Sequence, residues 1–451
     1  MPFAETTSAW AIEKGGLPSG IRPSRLRRLA GRALVGGPTS RRVRSSSSPY
    51  SPSGSPAGRP ESGRAEGTVL AIRNARILPS PDVPPIDRGT VLIKNGKIAR
   101  VGPDVAVPPT ATVIPGDGRV VTAGFWNAHV HFTEPKWRRV RRRFSTLLEA
   151  QFHDMFTSRG FTTVVDTGSD PRITLRLRRR IDEGGLLGPK ILTAGPGIYP
   201  PRGIPYYLRG TIPFYLRPLI PQPTSPRSAR WAVRRNVFRG ADLIKLFTGS
   251  YVERGVVRPM PEAVARAAVE AAHAQDRLVY SHPSNLEGTR IALRAGVDVL
   301  AHPPDATDGV DDALLQEMVD RKMAMIPTLK MFEQTGSASR DYLAPIYEVV
   351  RRFHARGGEI LFGTDVGYMK DYSIEEEIQA LSGCGFGPRE ILRSMTTAPA
   401  ERFGVGESVG SVVSGARADL VVLDADPFEN PLAFTQVRAT IRGGRVLHLH
   451  P

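Results

Sequence analysis

Short apolar runs alternate with amphipathic stretches from about residue 121 to about residue 404. Eight runs have the length of buried β-strands: Val121–His131, Thr162–Thr167, Pro189–Ala194, Asp242–Thr248, Leu278–His282, Val299–His302, Met323–Leu329 and Ile360–Asp365. Between the runs, helical periodicity is clearest in Pro261–Gln275. Eight strand–helix repeats predict an α/β protein whose parallel strands close into a (β/α)8 TIM-like barrel. An open doubly wound sheet is the alternative, but no Gly-x-Gly-x-x-Gly turn follows any run.

Both ends of this patterned region carry short β-type segments instead. The segments are Thr68–Leu78, Gly89–Val101 and Ala111–Val121 near one end, and Asp419–Leu423 and Val437–Leu449 near the other. They predict one small β-sandwich domain, 68–121 plus 405–451, built from both ends around a barrel of residues 122–404. The Pro- and Tyr-rich stretch Gly195–Pro221 predicts a long loop after the third run, typical of a lid or substrate loop.

Residues 1–67 are rich in Ser, Gly, Pro and Arg, which predicts a disordered basic tail. They lack the apolar stretch of a secretory signal, so a transit-like leader and a wrongly assigned start both stay open. No stretch approaches the roughly 18 to 20 apolar residues of a membrane span. We therefore expect a cytoplasmic protein without a membrane span.

The formal charge of +17 raises the question of a nucleic-acid partner. Three segments account for the excess: residues 1–67, the run Lys136–Arg143 and the run Arg172–Arg180. No recognition module or aromatic-spaced basic stripe accompanies them, so we interpret them as solvated surface or tail. We expect a small-molecule substrate and no specific nucleic-acid partner, and homo-oligomer formation stays open.

Six polar residues lie in or at the C-terminal ends of the predicted barrel strands: His129, His131, Lys245, His282, His302 and Asp365. Side chains at that face of a barrel converge where barrels do chemistry. His129 and His131 are two apart on a strand, so both point to one face and can chelate one ion. The single cysteine, Cys384, excludes a cysteine-based metal cluster and an intramolecular disulfide.

Each of the other residues has an ordinary interpretation beside the metal one. A lysine such as Lys245 inside an apolar strand must be neutralised, paired or modified, and carbamylation by CO₂ would turn it into an anionic ligand. Asp365 could be a ligand, a general base or a helix cap, and His282 and His302 could be core histidines. Because all six residues are predicted to lie at one face, a shared metal site explains them better than six unrelated structural roles would.

The order of these residues resembles the amidohydrolase superfamily, in its binuclear subtype with a carboxylated lysine. The branch it resembles most contains imidazolonepropionase-like proteins and Xaa-Pro or Xaa-Arg dipeptidases. The matching segments are Ala123–His131, Asp242–Lys245, Ser281-His282, Ala295–Asp298 with Ala301-His302, Pro327–Leu329, Gly363–Asp365, Thr396–Ala400 and Gly415–Leu420. The resemblance spans roughly Thr68 to Leu449.

This resemblance implies two divalent metal ions, most commonly zinc. His129, His131 and Asp365 would hold the more buried metal, and His282 and His302 the more exposed one. A CO₂-derived carbamate on Lys245 would bridge them together with a hydroxide. The hydroxide would attack a carbonyl polarised by the exposed metal, and Asp365 would carry its proton to the leaving amine.

The chain departs from these relatives at Pro283 and Ala301. The loop after its third predicted strand also lacks the Gly-Gly-His sequence that is common in them. Candidate substrate contacts are Arg202 and Tyr206 in that loop and Tyr251 after the fourth strand. Arg202 could bind a substrate carboxylate or could be a solvated loop residue.

We therefore expect a hydrolase of C–N bonds in an amide, dipeptide or cyclic amide, and the resemblance includes metallo-dipeptidases among the activities that it implies. A mononuclear deaminase on the same barrel is the first alternative, although deaminases of that type lack the fourth-strand lysine. A non-catalytic binding protein derived from the barrel is the second, although such proteins typically lose ligands.

Overall fold

The structure, a computed structural model, describes residues 69–210, 212, 214–335 and 339–450. The predicted disordered tail, residues 1–67, lies outside these residues. No helix in the described part of the chain is long and apolar enough to cross a membrane.

The described residues form seventeen strands and twelve α-helices. The strands are β1 (Val69–Ile77), β2 (Ile86–Lys94), β3 (Lys97–Gly102), β4 (Thr112–Pro115), β5 (Val120–Ala123), β6 (Phe125–Val130), β7 (Phe161–Asp166), β8 (Lys190–Thr193), β9 (Leu243–Phe247), β10 (Gly249–Glu253), β11 (Val256–Pro259), β12 (Leu278–His282), β13 (Val299–Leu300), β14 (Ala324–Met325), β15 (Leu420–Leu423), β16 (Val437–Arg442) and β17 (Arg445–Leu449). The helices are α1 (Ser145–Met155), α2 (Pro171–Asp182), α3 (Tyr206–Arg209), α4 (Pro226–Phe238), α5 (Glu262–His273), α6 (Leu286–Ala295), α7 (Asp312–Asp320), α8 (Leu329–Thr335), α9 (Arg340–Ala355), α10 (Glu375–Gly383), α11 (Pro388–Met395) and α12 (Thr397–Arg402).

Strands from both ends of the described chain share one mixed sheet. Its order is β17-β16-β15-β5-β1-β2-β3, with β4 paired to β1. The predicted segment Gly89–Val101 is two strands, because Asn95 and Gly96 both have positive φ angles (53° and 76°), as a tight hairpin turn requires. Alternate residues of these strands form a separate apolar core. The sandwich arrangement and the domain boundaries stay predictions.

The predicted central runs form parallel strands. β6, β7 and β8 make one parallel sheet, and β9, β12, β13 and β14 make another. Parallel bridges join Met325 to Ile360 and Val130 to Val366, and the Asp242 amide donates to the Thr193 carbonyl at 2.8 Å. Segment 360–366 therefore lies between β14 and β6, and β8 is linked to β9.

Three boundaries of the predicted runs were wrong. Val121 belongs to β5 in the sheet built from both ends, and Gly124 separates β5 from β6. The seventh run is a strand only at Ala324–Met325, because α8 already begins at Leu329. The eighth run makes isolated bridges rather than a continuous strand.

One buried cluster contains residues from every one of the eight predicted runs. Its strand members are Trp126, Ala128, Val165, Ala194, Leu243, Leu278, Tyr280, Val299, Ala324, Ile326 and Leu361, and Ala398 and Ala400 of α12 belong to the same cluster. Segments that are distant in sequence therefore contribute side chains to one apolar core. This core fixes the strand ends that carry the candidate site.

Candidate metal centre

Three predicted ligands lie in direct contact: His129 in β6, His131 just after it, and Asp365 in segment 360–366. Oδ1 of Asp365 is 3.0 Å from Nε2 of His131 and 3.5 Å from Nε2 of His129. One ligand atom from each of the three residues lies within 4.8 Å of the others. His129 is 1% exposed, and Asp365 is 5% exposed. The spacing and burial of this group suit a metal ion held by nitrogen and oxygen ligands.

The Nδ1 atoms of His129 and His131 fix the orientation of the two imidazole rings. Nδ1 of His129 lies 3.0 Å from the Ala301 carbonyl oxygen, and Nδ1 of His131 lies 3.0 Å from the Gly168 carbonyl oxygen. A carbonyl oxygen can only accept, so each Nδ1 carries a hydrogen. Nε2 is then the ring atom that faces Asp365, and an Nδ1–H group donated to a backbone carbonyl is typical of metal-binding histidines.

His302 and His282 extend the cluster on the side of β12 and β13. The ring of His302 lies 4.6 Å from that of His129 and 4.7 Å from that of His282, measured between centroids. Nε2 of His302 is 3.9 Å from Oδ2 of Asp365. The ring of His282 stacks on Phe247 at 5.0 Å. All four predicted histidines thus belong to one cluster around Asp365.

Lys245 of β9 is a fully enclosed amine beside this cluster. The residue is 2% exposed, and Nζ has no hydrogen-bond partner among the described residues. Burial lowers the pKa of Lys245 to about 7, and the charge of Asp365 only partly offsets that effect. An uncompensated buried amine is costly, so this position favours a neutral or modified side chain.

Glycine at position 363 lets segment 360–366 approach β6 closely. A Cβ atom there would lie 2.9 Å from Cβ of His129 and 2.5 Å from a methyl carbon of Ile326. The amide of Asp365 donates to the His129 carbonyl at 2.9 Å, which fixes the register of the two segments. The Gly363-Thr364-Asp365 motif therefore sets the depth at which the carboxylate meets the histidines.

Burial and mutual repulsion keep three of the histidines neutral. The pKa of His129 and that of His302 fall well below the ordinary value, and burial is the largest cause for both. Burial likewise lowers the pKa of His282 to about 3. Burial acts to lower the pKa of His131 as well, but its hydrogen bond to Asp365 and that residue's charge raise it overall. Neutral imidazole is the form that binds metals.

The predicted substrate contacts have different surroundings. The half-buried Tyr251 of β10 donates its hydroxyl to Oδ2 of Asp305 at 3.0 Å. Tyr206 begins α3 and is 41% exposed. Arg202 is exposed, and its carbonyl oxygen accepts from the Arg258 guanidinium at 3.1 Å. No contact links any of the three to a predicted ligand.

Two other tyrosines lie nearer Asp365: Tyr207, which belongs to the predicted loop Gly195–Pro221, and Tyr368, which the sequence pattern did not indicate. The rings of Tyr207 and Tyr368 are 5.9 Å apart. Burial raises the pKa of each hydroxyl, and the charge of Asp365 adds to that rise for both. Tyr368 follows Asp365 by three residues, a spacing that could have drawn attention to it. Asp305, the acceptor for Tyr251, follows His302 by the same interval.

Comparison with known proteins identifies a family for this chain. Residues 120–447 match the model of the amidohydrolase family. A dihydroorotase of Mycobacterium tuberculosis is 47% identical over 49 residues, but this match spans only 11% of the chain and 11% of that enzyme. An imidazolonepropionase of a Geobacillus species is 21% identical over 410 residues, which cover 80% of the chain and 90% of the relative.

Solved structures show the same fold. A Xaa-Pro dipeptidase with methionine in its active site superposes with a TM-score of 0.73 at 23% identity, covering 84% of this chain and 99% of that one. At this identity the likeness concerns the fold. The family match itself covers well over half of the sequence and includes the segments with the histidines, Lys245 and Asp365. The chain is a member of the amidohydrolase family, as the order of its motifs predicts.

Proposed function

We propose that the protein hydrolyses a C–N bond of a small amide, dipeptide or cyclic amide with the help of two divalent cations. Family membership supports the hydrolase class directly. We further infer that the eight parallel segments form a (β/α)8 barrel, since bridges and hydrogen bonds link them in sequence and one core contains all eight. The candidate site then lies at the C-terminal face, where barrel enzymes carry their active sites.

The observation that carries the proposal is the partnerless amine of Lys245 beside neutral imidazoles. Nζ of Lys245 is buried and makes no hydrogen bond to any residue that the structure describes, and the charge of Lys245 helps to lower the pKa of His129. An unmodified ammonium at this position would repel any cation bound by the histidines. A carbamate would remove that repulsion and add two anionic oxygens. The full donor set therefore fits two cations better when Lys245 is carboxylated than when it is an ammonium.

The lysine is suited to this modification. Because its pKa is about 7, a large fraction of the amine is unprotonated near neutral pH. The nitrogen lone pair adds to the carbon of CO₂, and the amine loses one proton to solvent, which leaves a carbamate of charge −1. His129, His131 and Asp365 would hold one cation, His282 and His302 the other, and the carbamate would contact both. Bound divalent cations supply Lewis acidity and make a coordinated water more acidic.

Asp365 is the group that we propose to move the proton. Its carboxylate lies against His131 and His129, so it faces the centre where a water and a scissile carbonyl would meet. It would accept a proton from the attacking water and deliver it to the nitrogen of the leaving amine. The surrounding aromatic rings and the low exposure of Asp365 keep bulk water away from that transfer.

A single-cation deaminase is the second candidate, and one observation favours it. The tight three-residue group of His129, His131 and Asp365 is compact enough to hold one cation by itself. That reading leaves the buried Lys245 amine without a role, so we rank it second. Zinc as the natural metal, a cytoplasmic location, homo-oligomer formation and substrate contacts through Tyr251, Arg202 or Tyr206 stay predictions.

Metal content and substrate range test this proposal together. The purified protein, loaded with zinc or manganese in bicarbonate buffer, should bind two metal ions per chain and hydrolyse members of a dipeptide and cyclic-amide panel. Release of a free amine and a carboxylate identifies hydrolysis, whereas ammonia release from an amino-heterocycle identifies deamination. One metal per chain with ammonia release would replace the proposal by the deaminase, and full activity without metal would refute both.

A further inference from the structure

Two basic sequence runs contact each other through Arg180. Helix α2 carries the run Arg172–Arg180, and the loop before α1 carries the run Lys136–Arg143. The Arg180 guanidinium donates to the carbonyl oxygens of Val140 and Arg143, each at 3.0 Å. Segments that are more than thirty residues apart in sequence are therefore held side by side.

A groove of about 640 Å³ lies along α2. Its rim carries four arginines, and its lining includes aliphatic side chains; the residues that matter here are Arg172, Arg176, Arg179, Arg239, Leu175 and Leu219. We call it the basic groove. Arg172, Arg176 and Arg179 are spaced four and three residues apart, which places them on one side of the helix.

Three of the four groove arginines are not neutralised. Arg172 forms a two-pronged ion pair with Asp170, whose carboxylate also lines the groove. Arg176, Arg179 and Arg239 are exposed and have no carboxylate partner among the described residues. The basic groove therefore carries an excess of positive charge on an apolar floor, which is the pattern for an anion with an apolar body.

Large hydrophobic side chains stand exposed beside the groove. Phe238, next to Arg239 in sequence, is 92% exposed, and Leu219 on the groove wall is 68% exposed. Trp231, on the same helix as Phe238, is 60% exposed and has the Arg235 guanidinium 4.8 Å above its ring. Exposed apolar residues next to a charged site are typical of a binding surface.

We propose that the basic groove and its exposed neighbours bind the anionic headgroup surface of a phospholipid bilayer. The arginines would contact lipid phosphates, and Phe238 and Leu219 would enter the apolar zone beneath the headgroups. Binding of this kind is peripheral and needs no membrane-spanning helix. The inference concerns a face separate from the histidine cluster and does not depend on the proposed hydrolysis.

The aliphatic lining favours lipid over a nucleic acid. Single-stranded nucleic acid binds basic grooves that present aromatic rings for base stacking. Among the described residues, no aromatic side chain lines the basic groove. Its lining presents Leu175 and Leu219 instead, which suit a glycerol and acyl-chain region better than a base.

Vesicle sedimentation of the full chain tests the proposal. The wild-type protein should co-sediment with phosphatidylcholine vesicles that contain phosphatidylglycerol, and should not co-sediment with phosphatidylcholine alone. The triple variant Arg176→Gln/Arg179→Gln/Arg239→Gln should lose about tenfold or more in partition coefficient. Because these three side chains are exposed, the variant should keep its circular dichroism spectrum and melting temperature.

A matched triple variant controls for total charge. Arg88→Gln/Arg100→Gln/Arg290→Gln removes the same three charges from exposed positions that do not line the groove, and it should bind vesicles within about twofold of wild type. Equal loss in the two triple variants would overturn the site, because binding would then follow net charge alone. Phe238→Ser should weaken the binding that remains at high salt, where the apolar contribution dominates.

Three further outcomes would also overturn the proposal. Binding of a single-stranded oligonucleotide without binding of vesicles would assign the groove to nucleic acid. A wild-type dimer that dissociates in the groove triple variant would assign it to a second copy of the chain. Full competition by millimolar inorganic phosphate would indicate a site for free phosphate rather than for a lipid surface.

Discussion

Nδ1 of His302 lies 2.7 Å from the hydroxyl oxygen of Thr328. The same hydroxyl lies 2.8 Å from the Pro327 carbonyl oxygen, which can only accept. When its single hydrogen is donated to Pro327, the Thr328 hydroxyl accepts the Nδ1 hydrogen of His302. Thr328 has a φ of 46°, an unfavourable conformation for a β-branched residue, and this conformation places its hydroxyl against the imidazole.

Replacing Thr328 by valine should weaken metal binding on the His302 side. Valine has a similar shape but no acceptor for Nδ1, so the ring loses the contact that orients Nε2. Loss of such a supporting contact costs about 10–100-fold in metal affinity. Competition with a coloured chelator measures this loss. Thr110→Val, at an exposed position, is the control and should leave affinity unchanged. Equal affinities in both variants would show that Thr328 does not orient His302.

The sequence allowed the cluster to be predicted because each of its residues belongs to a short apolar run. Lys245 is the clearest case, since a lysine among buried strand residues has few ordinary explanations. The strand ends of parallel βαβ units lie on one side, so run positions alone predicted that these residues meet. Their contacts agree with that expectation, and their role as metal ligands stays a proposal.

The surroundings of the cluster could not be predicted in this way. Tyr368, Tyr207 and Asp305 lie on connecting segments, whose course depends on packing between elements rather than on a local period. The hairpin of β10 and β11 was also missed, and it determines that Tyr251 meets Asp305. The short eighth run was overestimated as a strand because its apolar pattern reflects burial rather than continuous pairing.

Replacing Lys245 by alanine should lower metal content and abolish turnover. The variant removes the nitrogen that would carry the carbamate, so the proposed ligand common to both cations is lost. Short carboxylic acids such as acetate or propionate should restore part of both metal content and activity, because they can occupy the vacated volume. Metal analysis and hydrolysis rates with and without added acid test this expectation. Lys94→Ala, at an exposed strand position, should behave as wild type. Full activity in Lys245→Ala would refute the bridging role.

Replacing Asp365 by asparagine should reduce kcat by several orders of magnitude. Asparagine keeps the size and one oxygen of the side chain but cannot accept and deliver a proton near neutral pH. Substrate binding should change far less, so KM should stay close to the wild-type value. A large rise in KM would instead indicate that the substitution disrupts the site. Metal content must be measured in parallel, since Asp365 also contacts His129 and His131. A loss of kcat below about tenfold with metal retained would count against a proton shuttle at this position.

Replacing Glu377 by glutamine should stabilise the protein at alkaline pH. Glu377 of α10 is fully buried, and its carboxylate accepts a hydrogen bond from the Lys330 backbone amide at 2.8 Å. Its Oε1 atom has no hydrogen-bond partner in the described part of the chain. Burial raises the pKa of Glu377 to about 8. The folded state therefore binds the proton of the Glu377 carboxyl more tightly than the unfolded state does. This difference stabilises the folded state fully below the unfolded pKa of about 4.3, and the stabilisation is lost as the pH rises through about 8.

Glutamine at 377 keeps an oxygen for the Lys330 amide but cannot ionise, so it avoids that loss. The free energy of unfolding of the variant, relative to wild type, should rise between about pH 5 and about pH 9, by an amount on the order of a few kcal/mol. Urea unfolding at several pH values measures the difference, and taking the difference cancels titration elsewhere in the chain. Glu375→Gln removes an exposed carboxylate from the same helix and should show little pH dependence. If both variants showed the same pH dependence of the free energy of unfolding, the prediction would be wrong. The buried Glu377 carboxylate would then carry no electrostatic cost, because a structural water or a movement of Lys330 would solvate it.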